Sequence, residues 1–266
     1  MANNAVLPFV HFASIEQLRH MLKYLPGIFA DGTVPDRLMF RGTVKLHGTH
    51  ADLVKMYGNT TAEDYIVQSR NRILTPESDN VGCARFFRDR DPAVEALFAL
   101  VEAALAAQGR PPPSSDVVIA GEFCGGSIQP IVALCKLPKM FVVFAVRVDG
   151  AWVDMGADGF ADVRLERHGI YNVMQFRTFS VVLETDNPDP ARADMDRLTA
   201  EVDRECPVAL EIGSVLVRDG RLTVKGGEEA LRGPGEGIVW TCPDHPTRTG
   251  CGSRPRAMRT TPFRRR

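Results

Sequence analysis

The sequence predicts an α+β fold built on antiparallel β-sheets flanked by helices. Strand-like runs outnumber helical ones along the chain. Two Asp-Gly pairs, Asp149-Gly150 and Asp219-Gly220, stand between apolar runs and signal tight hairpins. Residues 38–56 read as two strands around Gly48, with Val44 and Leu46 facing one way and Lys45 and His47 the other.

Taken in order, residues 10–24 predict a short amphipathic helix, capped by Ser14, with Ile15, Leu18 and Leu22 as its apolar stripe. Pro26-Gly27 and Asp31-Gly32 mark turns. Residues 65–69 form a strand ending at Arg70-Asn71-Arg72. Residues 91–108 are the clearest helix, with Asp91 as cap and Pro92 at its start. Strands follow at 117–123 and 141–148, the second turning through Asp149-Gly150 into Ala151-Trp152-Val153. Helices are expected at 158–168 and 190–205, strands at 208–217, 221–225 and 235–240. From Cys242 the periodicity stops, leaving Pro, Thr, Gly and Arg. The expected organisation is one domain over 1–241 and an irregular, Arg-rich tail over 242–266, truncated or disordered.

The chain has 266 residues, 44% hydrophobic and 24% charged, enough for a proper core. No apolar run approaches the ~20 residues that span a bilayer, and the first residues lack a secretory pattern. Six scattered cysteines fit reduced thiols better than a disulfide framework. A soluble, cytoplasmic protein with no membrane contact is therefore expected. Net charge is −1, but residues 251–266 hold six arginines and no acid, which leaves the first 250 residues at −7. Nucleic-acid binding would need a local basic groove or this tail.

The chemistry concentrates in polar residues at strand ends. Lys45 is followed by His47-Gly48, Glu122 stands between Gly121 and Cys124-Gly125-Gly126, and Glu236 is bracketed by Gly235 and Gly237. One polar residue at a strand end is ordinary solvated sheet. Three charged side chains beside glycines on three strands describe a ligand pressed against a sheet.

The stretch Lys45-Leu46-His47-Gly48-Thr49 resembles the nucleotidyl-lysine motif of the covalent nucleotidyltransferases, in its RNA-ligase form. Ser69-Arg70, Gly121–Gln129, Phe141–Phe144 and Glu236–Trp240 resemble four further motifs in the right order. Together they cover about three quarters of the chain. The chain most resembles the RNA ligase 2 family. That resemblance implies a nucleotidyltransferase (ATP-grasp-like) ligase domain with ATP and Mg²⁺ or Mn²⁺ as cofactors. It implies RNA with 5′-phosphate and 3′-hydroxyl ends as partner, sealed through a lysyl-AMP intermediate. It makes Lys45 the nucleophile and gives His47 the later steps on the RNA end. Gly48, Arg70, Glu122, Phe144 and Glu236 become nucleotide-binding residues. Arg70 would contact ribose or phosphate, Glu122 the ribose hydroxyls and Phe144 the base, while Glu236 would hold the metal or orient the lysine. A lysine attacks only when deprotonated, so cations, metal or partial burial must act on Lys45.

The chain departs from the family in one respect that bears on activity. The family places a lysine pair about twenty residues after its late Glu-Gly, and here no lysine follows Lys225. Three readings follow: Arg256 or Arg259 supplies the charge, the chain is truncated or frameshifted from Pro255 on, or the protein has lost the first step and still binds nucleotide or RNA ends. A second departure is His50, where RNA ligases often carry asparagine. A DNA ligase or capping guanylyltransferase is the other alternative, but an OB-fold would not fit in the 26 residues after Trp240. Cys242, His245 and Cys251 offer an incomplete zinc pattern read as chance, Cys124 reads as a small buried residue and Trp240 as core.

Overall fold

A computed structural model of the chain describes residues 9–12, 16–23, 33–57, 65–243 and 258–259. In chain order the elements are β1 (Glu16–Gln17), α1 (Leu18–Lys23), β2 (Arg37–Val44), β3 (Thr49–Met56), β4 (Ile66–Ser69) and β5 (Ile73–Leu74). Then come α2 (Cys83–Arg88), α3 (Asp91–Ala107), β6 (Asp116–Cys124), β7 (Met140–Val148), β8 (Ala151–Trp152) and β9 (Ile170–Asn172). The chain continues through β10 (Phe179–Glu184), α4 (Asp189–Arg204), α5 (Pro207–Arg218), β11 (Ile238–Thr241) and β12 (Met258–Arg259). These elements divide into two compact units, each built on its own sheet.

The first unit comprises Met1–Ala13, Thr49–Phe123 and Met140–Asn172. Its sheet runs β5-β4-β3-β6-β7-β8, with β9 parallel to β7. The β3–β6 ladder, from Thr49↔Phe123 to Met56↔Asp116, is its spine. Period-two alternation splits the sheet into two faces. Ala51, Leu53 and Phe123 share the face covered by α2 and α3, where Phe86 meets Phe123 (centroids 5.2 Å) and Phe87 meets Phe141 (5.0 Å). Helix α3 buries Val94, Leu97, Phe98, Val101 and Leu105 at helical spacing. Polar anchors join it to the sheet: Lys55 Nζ lies 2.6 Å from Glu95, the Tyr57 hydroxyl donates to Glu102, and Tyr65 donates to Asp91. His50, Asp52, Glu122 and Ala120 occupy the opposite face, with Gln68 beside Asp52. The β7–β8 hairpin closes through Asp149 (φ 49°) and Gly150 (φ 79°), the positive-φ pair of a tight turn.

The second unit comprises Ser14–Gly48, Cys124–Lys139 and Val173–Arg266. Its sheet runs β1-β12-β11-β2-β10, antiparallel except for β1 with β12. Phe40, Leu183 and Trp240 are fully buried within it. An added Cβ on Gly42 would meet the Trp240 ring and Ile238 at 2.8 Å, so glycine leaves room for the indole across the β2–β11 pair. Helix α4 turns Ala191, Met195, Thr199 and Val202 inward.

Several local expectations need correction. Residues 208–217 form helix α5, not a strand. Their β-branched composition misleads, but the buried positions Val208, Ala209, Ile212, Gly213 and Leu216 follow helical spacing behind Pro207. Asp219-Gly220 is that helix's C-terminal cap rather than a hairpin. Gly220 (φ 68°) donates to Val217 O and Arg221 to Leu216 O, a Schellman pair, and 221–225 is not a strand. Residues 158–168 form two 3-10 turns, Phe160–Asp162 and Glu166–His168, because Leu165 is committed to a bridge with Ile170. Among the described residues of 10–24, only Leu18–Lys23 is α-helical, and Val10 is instead held by the Gln68 side chain. The cap assigned to Ser14 lies outside the described residues. Strands β9 and β10 and helix α2 had no counterpart in the sequence reading. Within the tail, Met258–Arg259 pair as β12, while 244–257 and 260–266 lie outside the described residues.

Trp240 and Cys124 are fully buried, in keeping with core roles. No disulfide joins the described cysteines. Among the described residues no helix is long and apolar enough to cross a membrane.

Candidate active site

Lys45 immediately follows β2, and its position is fixed by backbone pairing before any side chain acts. The β2–β11 register sets Val44 opposite Ile238, and the Lys45 N–H donates to Gly237 O at 2.8 Å. The Glu-Gly segment therefore lies directly across from the lysine, 191 residues away in sequence. Gly237 has φ +111°, which a side chain resists, and an added Cβ on Gly235 would meet Val202 O at 2.6 Å. Both glycines are needed to bring the Glu236 carboxylate inward.

That carboxylate serves two partners. Oε1 accepts from Lys45 Nζ, and Oε2 lies 3.0 Å from His47 Nδ1. All three side chains are mostly buried. Burial, and secondarily the Lys45 ammonium, push the His47 pKa below its ordinary 6.5. At neutral pH His47 is thus a neutral imidazole. A carboxylate only accepts, so the proton is assigned to Nδ1 and Nε2 keeps its lone pair. With His47 neutral, its contact with Glu236 is not an ion pair, and Lys45 is the cation that faces the carboxylate. Gly48 closes the Lys45–Gly48 connection between β2 and β3.

The first unit carries the other expected residues. Glu122 stands directly opposite His50 on the open face of its sheet. An added Cβ on Gly121 would overlap the Phe141 ring and Val142 O, so the neighbouring strand approaches closely there. Phe144 is half-buried, with its ring 5.7 Å from His50. Arg70 is exposed in the bend after β4. Arg72 braces that bend, donating to Ser78 O (2.8 Å), Ser78 Oγ (2.6 Å) and Asp79 O (3.1 Å).

Beneath His50 lies a feature the sequence reading missed. Asp52 is 1% exposed; its Oδ2 accepts from Gln68 Nε2 at 2.8 Å and its Oδ1 lies 2.8 Å from His50 Nε2. The last contact is close but not aligned as a hydrogen bond. The signal available was the polar alternation of His50 and Asp52 in β3, matched by Gln68 in β4.

Lys45, His47 and Glu236 are thus brought together in one unit, and Glu122 and Phe144 share the His50 face of the other. Among the described residues no group of three or more His, Cys, Asp or Glu side chains could hold a metal by itself. His245 and Cys251 of the zinc pattern lie outside the described residues.

Two solved structures share this architecture. An apo mutant of Naegleria gruberi RNA ligase superposes with TM-score 0.52 at 16% identity, over 96% of this chain and 57% of that one. A mutant of the same ligase with ATP and Mn gives TM-score 0.52 at 15% identity over the same shares. The fold is that of an RNA ligase nucleotidyltransferase, and this chain spans about 57% of the length of those two. No curated protein matches the sequence. The RNA ligase family model matches residues 39–257. The chain belongs to the RNA ligase family.

Proposed function

We propose that the chain is an ATP-dependent RNA ligase acting through a lysyl-AMP intermediate, with Lys45 as nucleophile. The observation that carries this reading is the Lys45–Glu236–His47 cluster, set by the pairing of Lys45 with Gly237. Family membership and a fold shared with a ligase solved with ATP and Mn support it.

In the first step Lys45 Nζ attacks the α-phosphorus of ATP. An N–P bond forms, the bond to the bridging oxygen breaks, and pyrophosphate leaves. Attack needs the amine lone pair, so the proton shared with Glu236 must leave first, and that carboxylate is the nearest base. AMP then passes to an RNA 5′-phosphate, and a 3′-hydroxyl displaces it. His47, neutral at the pH of the reaction, is assigned to take a proton in these later steps. Glu122, Phe144 and Arg70 are assigned to ribose, base and ribose or phosphate, and Gly48 to close backbone approach. Glu236 is a hard oxygen donor, and Mg²⁺ takes only one or two carboxylates beside phosphates, so the residue fits a divalent ion. Such an ion would neutralise charge on the phosphates.

A second reading rests on the absence of lysine after Lys225. Arginine is not equivalent to lysine in a tight phosphate site. On that reading the first step is impaired, or the chain only binds nucleotide or RNA ends.

Incubation with α-labelled ATP or GTP and Mg²⁺, followed by denaturation, separates these. An ATP-derived adduct absent in Lys45→Ala supports the ligase. No adduct with either nucleotide, and no sealing of pre-adenylylated RNA, sinks it and leaves binding alone.

A further inference from the structure

The open face of the first unit's sheet is not bare. The N-terminal segment Phe9–Phe12 lies along it. Val10 is pinned at both backbone groups by one side chain: its N–H donates to Gln68 Oε1 at 3.2 Å and its carbonyl accepts from Gln68 Nε2 at 2.7 Å. Gln68 is held in turn by Asp52. Val10 also packs on Val54, Ile66 and Val118, which share the face of Asp52 and Ala120. Two residues on, the Phe12 ring meets His50 (4.6 Å), Phe144 (5.4 Å) and Trp152 (5.1 Å).

This cluster differs from the aromatic packing on the sheet's other face. There Phe87, Phe123 and Phe141 are fully buried. Here Phe12, His50, Phe144 and Trp152 all remain half-buried, and Glu122 stands on the strand beside them. Phe12 and Phe144 are inclined at 74°. Two rings at that angle form a corner, so a planar ligand stacked on one meets the other as a side wall. A half-open aromatic corner beside a carboxylate fits a base carried on a ribose.

We propose that Phe12 is a further nucleotide-contacting residue, the side wall of a base seat whose floor is Phe144, held in place by Gln68 through the backbone of Val10. The proposal rests on the assignment of Phe144 to the base. It adds a determinant outside the matched family region, which begins at residue 39. The ligand class is a purine nucleotide, and the wall acts on affinity and base selectivity rather than on the attack by Lys45.

The test is equilibrium binding of ATP with Mg²⁺ to the full chain by calorimetry, for wild type, Phe12→Ala, Phe12→Leu, Phe12→Tyr and Phe144→Ala. Thermal midpoints are read in parallel. Phe12→Ala and Phe12→Leu are expected to weaken binding about five- to tenfold, the lower end of what an aromatic contact to a base contributes. Phe12→Tyr, which keeps the ring, should bind as wild type. Leucine keeps apolar bulk without the ring face, so its loss separates a ligand contact from packing. If the Ala and Leu variants bind as wild type, or more tightly, while Phe144→Ala binds weakly, the inference is overturned and the nucleotide reading stands. If Phe144→Ala also binds as wild type, or wild type binds no ATP, the underlying assignment has failed instead.

Discussion

Oε2 of Glu236 lies 3.0 Å from Nδ1 of His47, while Oε1 of the same carboxylate holds Lys45. One charge therefore organises both groups assigned to the chemistry. Replacing Glu236 with Gln keeps the size and an acceptor but removes the charge and the base. Formation of the labelled lysyl-adenylate should fall about 100-fold, the scale of a positioned acid–base group. Quench-flow of the adduct measures it. A rate within threefold of wild type would show that Glu236 is a bystander.

The depressed pKa of His47 predicts a signature in pH. Burial first, and the nearby Lys45 charge second, hold the folded value below 6.5. Protonation is harder in the folded chain than in the unfolded one. The stability His47 contributes is therefore complete above pH 6.5 and is lost as pH falls through the folded pKa. His47→Asn should flatten the acid side of the stability profile in that window. Urea midpoints against pH test the slope, and an NMR titration of the His47 ring should show a midpoint under 6.5.

Gly237 combines φ +111° with Thr199 Cγ2 only 3.1 Å from where a Cβ would stand. Gly237→Ala should cost about 1–3 kcal/mol in urea unfolding and displace the neighbouring Glu236. Gly227→Ala is the control. Its φ of +67° has nothing within 4 Å, so only the left-handed backbone term of roughly 1 kcal/mol remains. Adduct formation should fall in the first variant and not in the second.

The sequence carried the lysine cluster because its parts are local: a strand ending in Lys45 ahead of His47-Gly48, and Glu236 between two glycines. What joins them, the β2–β11 register, is long-range, but each half is visible alone. The Phe12–His50–Phe144 cluster was not legible, because Val10 meets Gln68 across 58 residues and nothing near Phe12 announces a partner. Helix α5 was lost for a different reason. Its Val and Ile content favours strand locally, and only the buried face, set by tertiary packing, decides for helix. Strand β10 was legible in the alternation of Phe179, Val181 and Leu183, all buried, against Ser180 and Val182, yet it was passed over.

Gly42 and Trp240 face each other across β2 and β11, three residues from Lys45 and four from Glu236 respectively. Adding a methyl at Gly42 would press on a fully buried indole at 2.8–2.9 Å, so Gly42→Ala should cost about 1–3 kcal/mol by overpacking. Trp240→Leu should cost at least as much through the cavity it leaves. The two changes should not add: with the indole gone, the alanine has room, and the double variant should be more stable than the sum predicts by roughly 1 kcal/mol or more. Urea unfolding of the four-member cycle measures this coupling. The same pair also holds the register that pairs Lys45 N–H with Gly237 O, so Gly42→Ala should slow adduct formation by shifting that pairing, and Trp240→Leu should restore part of the rate in the double variant. Strict additivity in both readouts would mean that the indole and the lysine cluster are independent, and that something other than this strand pair places Lys45.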